Sequence, residues 1–168
     1  MIIFDIEADH LLPDVTKVHC MVLKNLRTGN VVRIEPDNIQ MGLGILQGAK
    51  AIGGHNIMAY DLPVLKKLYN FEYKGKVFDT LVASRLIWSN LKEIDLLKRT
   101  VDSNLIGSHS LKAWGQRLKF NKGDYGEYEG AFDKQFEGTF VSTSDFFTGF
   151  FLHGNFEGSY ASNYSKDY

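Results

Sequence analysis

The chain opens on an apolar run, Met1-Ile2-Ile3-Phe4, that breaks at once into Asp5-Ile6-Glu7. That junction constrains the fold more than any other stretch. A short apolar run bounded by acids reads as a buried strand. Side chains alternate along a strand, so Asp5 and Glu7 share one face. Two neighbouring carboxylates repel, and an apolar strand beside them makes the repulsion costlier. A divalent cation resolves the conflict, and hard oxygen donors suit Mg2+ or Mn2+. Taken alone, the plainer reading of D-x-E is a strand that has ended with its acids in water.

Further strands are expected over 17–26 and 30–35, joined by a turn at Arg27-Thr28-Gly29-Asn30 where glycine supplies positive φ. A helix is expected over 37–47, capped by Asp37 or Asn38. A brief strand over 50–54 precedes a helix over 60–69, with Leu62, Leu65, Lys66 and Tyr69 on one side. A strand over 76–78 runs into Asp79 and a helix over 80–88. A last helix over 110–118 is capped by Ser108 or Ser110 and apolar at Leu111, Trp114 and Leu118. Strands come first and helices follow, so the class is α/β, a sheet covered by helices.

A chain of 168 residues, 44% hydrophobic and 23% charged, suits one globular domain able to bury a core without disulfides. Its one cysteine, Cys20, lies in an apolar run and reads as a buried structural thiol, consistent with a reducing cytoplasm. No stretch has the length of a membrane span, and the N-terminus lacks a signal peptide's basic flank, so a cytoplasmic protein is expected. Nineteen basic against twenty acidic residues argue against a broad grip on duplex DNA. An enzyme that holds a few nucleotides through metal ions is still allowed, because the cations supply the positive charge.

Three further segments bear on chemistry. Gly54-His55-Asn56-Ile57-Met58-Ala59-Tyr60-Asp61 places Asn56 in a turn and Asp61 at a helix start, where an acid is ordinarily stabilised by the helix dipole. Phe78-Asp79-Thr80-Leu81-Val82-Ala83-Ser84-Arg85-Leu86 and Ser108-His109-Ser110-Leu111-Lys112-Ala113-Trp114-Gly115 follow. Together with the opening D-x-E, these four segments, in this order and spacing, resemble the DEDD exonuclease superfamily. Within it the chain is similar to the N-terminal proofreading domain of family A DNA polymerases from short-tailed phages, over residues 1–133.

The resemblance implies a ribonuclease-H-like mixed sheet flanked by helices. It implies a 3′→5′ exonuclease acting on single-stranded DNA 3′ ends in a phage-infected or bacterial cell, with a separate polymerase chain as a partner. Asp5, Glu7 and Asp61 would hold two Mg2+ or Mn2+ ions, roughly 3.5–4 Å apart in such sites. Ile6, Asn56 and Tyr60 would position the last nucleotides. Asp79 reads as a helix cap and Trp114 as core. His109 is a metal candidate by residue type, but a cap or solvent contact is the better reading.

The superfamily also needs a fourth aspartate preceded by a tyrosine or histidine. After residue 133 no such pairing occurs; Asp145 stands near the expected place, with Val141 where the tyrosine would be. Composition changes there too, with eight of the twelve phenylalanines between Phe132 and Phe156. Either Asp145 is the fourth carboxylate and metal ligand of a divergent enzyme, or the 134–168 tail is foreign to the family through a frameshift or truncation. The joint failure of composition and helical patterning favours the second. The competing functional reading is then an impaired exonuclease fold that binds nucleic acid or a polymerase without cutting.

Overall fold

Strand β1 (Ile2–Ala8) is the centre of the sheet, and its alternation builds both cores. The computed structural model describes residues 1–119. One parity of β1, Phe4 and Ile6, joins the larger cluster with Met21, Leu23, Leu46, Ile52, Ile57 and Leu65. The other parity places Ile3 against Trp88, Leu91 and Trp114. Each such fully buried aliphatic or aromatic side chain contributes about 1.5–3 kcal/mol relative to exposure.

Strands β2 (Val18–Asn25) and β3 (Val31–Ile34) form an antiparallel hairpin, with Gly29 at φ +77° in the connecting turn. β1 pairs antiparallel to β2 and parallel to β4 (Ala51–Gly54), which pairs parallel to β5 (Lys76–Asp79). The order β3-β2-β1-β4-β5 is therefore a mixed five-stranded sheet. Helices α1 (Ile39–Gln47) and α2 (Asp61–Tyr69) pack on the Phe4/Ile6 face. Helices α3 (Thr80–Ile87), α4 (Leu91–Lys98) and α5 (Leu111–Leu118) follow β5, and the latter two cover Ile3. This is the ribonuclease-H-like α/β arrangement that the resemblance implied.

Most expected elements form within one or two residues of their anticipated ends. Two differ in substance. α2 buries Asp61, Val64 and Leu65 instead of a stripe through Lys66, because its first turn is rotated inward to bring Asp61 against β1. α4 was not anticipated: its buried side is Leu91 and Asp95, while Leu96 and Leu97 face outward, so its apolar residues do not mark its inner face. The expectations for 134–168, including Asp145, lie outside the described residues. Among the described residues no helix is long and apolar enough to cross a membrane.

Candidate active site

Three parallel strands end on the same side of the sheet, and the chemistry-bearing segments follow from their C-terminal ends. β1 ends through Asp5-Ile6-Glu7, β4 runs into His55-Asn56, and β5 terminates on Asp79. Ligand sites in open α/β sheets gather at such ends. Gly54 brings β4 close to β1: a Cβ there would meet the Phe4 carbonyl at 2.8 Å and Ile57 Cγ2 at 2.2 Å. The β1–β2 register shifts between Glu7 and Ala8, a bulge that ends regular alternation just past the acids.

Asp5 and Glu7 share the Ile3 face of β1, opposite Val22 and Cys20 of β2. Asp5 is half-buried and Glu7 exposed. Asp61 is 3% exposed at the start of α2. Its Oδ1 accepts the Ile6 N–H at 3.2 Å, beyond the last β1–β4 pair, Ile3 with Gly53. The helix thus delivers its first-turn carboxyl to the peptide between the two β1 acids. Burial, and then the Asp5 charge, push the Asp61 carboxyl well above the usual carboxylate range. The Asp61 carboxyl is thus taken out of water within reach of the Asp5 charge.

Tyr60 stands beside them, its phenol raised by burial and then by the charges of Asp61, Glu7 and Asp9. Its hydroxyl donates to the His10 carbonyl at 2.8 Å, and Lys67 Nζ donates to the Val15 carbonyl at 2.7 Å and to the Pro13 carbonyl. These contacts fasten the loop after β1 onto α2. The other expected residue, Asn56, is half-buried at φ +65°, a left-handed conformation that asparagine tolerates. Among the described residues, no group of three or more His, Cys, Asp and Glu stands ready to hold a metal ion. The donors present are hard carboxylate oxygens, the type that Mg2+ or Mn2+ takes.

The residues read as structural behave as such. Trp114 is core, its ring centroid 4.8 Å from that of Trp88. Cys20 is buried, its thiol pushed up to about 12 by burial and by the Glu7 charge. Asp79 caps α3 by accepting from Leu81 and Val82. His109 is half-buried, and its Nδ1 lies 3.0 Å from Ser84 Oγ, whose proton goes to the Leu81 carbonyl.

The sequence reading passed over His55. Its Nδ1 lies 2.9 Å from Thr80 Oγ1, and the Thr80 hydroxyl donates to the Gly54 carbonyl at 3.2 Å. A hydroxyl has one proton to give, so Nδ1 must carry the ring proton. Burial pushes this half-buried imidazole down to about 4, against an opposing pull from Asp79. The unfolded chain binds that proton near 6.5 and the folded chain does not, so His55's contribution is complete above pH 6.5 and drains as pH falls towards 4. Asp61, raised in the fold, works in the opposite sense as pH falls towards its ordinary value. Urea unfolding of wild type should therefore lose about 2 kcal/mol through His55 between pH 7.5 and 4.5, allowing for the ring's remaining hydration. His55→Gln should flatten that slope; an unchanged slope would put the pH dependence elsewhere.

No family model matches the chain. The DNA-directed DNA polymerase of Escherichia phage T7 is 42% identical over 139 residues, which cover 74% of this chain and 20% of the polymerase. That of Enterobacteria phage T3 is 41% identical over 139 residues with the same coverage. The chain thus spans about a fifth of the length of these curated relatives. Among solved structures, the EXD2 exonuclease domain aligns at 16% identity and a TM-score of 0.38, covering 89% of this chain and 75% of that one. The same domain soaked in Mn aligns at 15% identity and a TM-score of 0.37, covering 92% and 77%. That likeness is too distant to assign anything. The identity to the two polymerases relates the chain to a part of these phage DNA polymerases, in keeping with the resemblance that its four motif segments carry to the DEDD exonuclease superfamily.

Proposed function

We propose that the chain is a proofreading-type 3′→5′ exonuclease that hydrolyses the terminal phosphodiester of single-stranded DNA with two divalent cations, Mg2+ or Mn2+. The observation that supports this reading best is the buried Asp61 carboxyl, held beside Asp5 and bonded to the amide between Asp5 and Glu7. Burying like charges together costs stability and has no structural return, which is the habit of a functional site.

Asp5, Glu7 and Asp61 would hold the ions, Glu7 from the exposed end of β1. When bound, the ions supply an acidic water near neutral pH and charge for the departing 3′ oxygen. Asp61 contributes a carboxylate whose orientation the Ile6 amide sets in advance. Asn56 and Tyr60 line the approach; Ile6, expected to help position the nucleotide, has its side chain buried in the core and offers only its backbone amide, to Asp61. The cytoplasm of a phage-infected or bacterial cell is the expected setting, with a DNA polymerase as partner.

The test is a 5′-labelled single-stranded oligodeoxynucleotide incubated with the full chain in Mg2+, in Mn2+ and in EDTA, beside a ribo-oligonucleotide. Stepwise shortening from the 3′ end, with release of nucleoside monophosphates and loss in EDTA, is the expected result. The second reading, an impaired fold that binds without cutting, is favoured by the lack of a three-ligand group among the described residues. It predicts binding with no shortening in either metal. A chain that neither binds nor shortens the strand would sink both readings.

A further inference from the structure

The carboxylate of Asp79 accepts from two separate pieces of chain. Oδ1 accepts Leu81 N–H at 2.9 Å and Val82 N–H at 3.4 Å, the free amides of the first turn of α3. Oδ1 also accepts Asn56 N–H at 3.0 Å, and Oδ2 accepts Met58 N–H at 3.0 Å. A helix cap needs only the first pair. The second pair reaches across 21 to 23 residues to the turn that precedes α2. The site is 6% exposed, so those amides have little water to turn to if the carboxylate is lost.

That turn is held from several sides. Ile57 is fully buried and its carbonyl accepts Leu62 N–H at 2.9 Å; the Asn56 carbonyl accepts from Ala59 and Tyr60. Three residues after Met58, Asp61 bonds to β1. Asp79 therefore ties the end of β5 to the one segment that carries Asn56, Tyr60 and Asp61. The left-handed backbone of Asn56 is a conformation a non-glycine residue adopts only when its surroundings demand it.

We propose that Asp79 is a positioning residue for the exonuclease site: through the Asn56 and Met58 amides it sets the orientation of the Asn56–Asp61 segment towards a bound strand end. The proposal rests on the nuclease reading for its strand, but its geometry does not. Two variants separate the cap from the turn. In Asp79→Ser the hydroxyl still caps α3 and is too short to reach the turn. In Asp79→Asn one oxygen is kept, and the new amide meets Met58 N–H donor to donor.

Amide hydrogen exchange on the full chain is the first measurement. In D79S, Asn56 and Met58 should exchange about tenfold or more faster than in wild type, while Ser84 and Arg85 in α3 keep their protection. In D79N the change should be confined to Met58. Unaltered exchange at both amides would overturn the proposal whether or not the chain is a nuclease. Binding of a phosphorothioate oligo(dT) in Ca2+ is the second. D79S should weaken it by about tenfold, and Asn56→Ala combined with D79S should be no weaker than the weaker single variant. Effects that multiply would show that Asp79 does not act through Asn56, and would overturn the proposal. Failure of wild type to bind at all would count against the nuclease reading, leaving the exchange result to decide Asp79.

Discussion

Replacing Arg117 with methionine while Asp95 stays in place is expected to cost about 3–5 kcal/mol, enough to unfold a domain of ordinary stability at elevated temperature. Both side chains are 0% exposed. Arg117 Nε donates to Asp95 Oδ1 at 2.9 Å and an Nη to Oδ2 at 2.6 Å, a bidentate fork that joins α5 to α4. Gly107 N–H also donates to Oδ2 at 2.7 Å, and the guanidinium donates to the Ser108 carbonyl at 2.8 Å. Its Cζ stands 4.9 Å from the centre of the Trp114 ring. Removing the cation leaves a carboxylate stranded in a dry interior, and that uncompensated charge is the source of the loss. Replacing both partners, Asp95→Leu with Arg117→Met, should recover much of it, because no charge is left behind. Urea unfolding followed by tryptophan fluorescence reads this directly, since Trp88 and Trp114 both lie in the affected cluster. A single variant within about 0.5 kcal/mol of wild type would mean that water reaches the pair.

Asp61→Asn should move activity and stability in opposite directions. Cleavage is expected to fall by about a hundred- to a thousandfold, the scale for losing one preorganised charge-stabilising group in an active site. The same change removes a buried charge from beside Asp5 and keeps an oxygen that can accept Ile6 N–H. The unfolding midpoint without divalent cations should therefore rise, not fall. Mg2+ or Mn2+ should stabilise wild type by mass action and leave the variant nearly unmoved. A purely structural aspartate would lose stability and activity together, so a lowered midpoint would remove Asp61 from the proposed metal set. Asp5→Asn should show the same split, more weakly in stability because Asp5 is only half-buried.

Much of the sheet was readable before any coordinates because its signals are local. The Met1–Phe4 run, the turn at Gly29 and the Gly53-Gly54 ending each act over a few residues, and β1 to β5 follow them closely. Asp79 as a cap and Trp114 as core were likewise legible. What failed was the assignment of faces. α2 was expected to bury a stripe through Lys66, yet a buried acid in its first turn rotates the helix. α4 went unread because Asp95 sits on its inner side while Leu96 and Leu97 face out, reversing the pattern that periodicity relies on.

Residue order alone determined the class of the sheet, the pairing of Asp5 and Glu7 on one face, and the four segments that carry the resemblance to the exonucleases. These follow from alternation and turn chemistry, which neighbouring residues carry among themselves. Only the tertiary structure decided that Asp61 meets the Ile6 amide, that one Asp79 carboxylate serves both a helix and a distant turn, and that Asp95 and Arg117 neutralise each other out of water. Each of those contacts joins residues at least twenty-one apart, apart from the local cap, and nothing in the spacing between them encodes a distance in space.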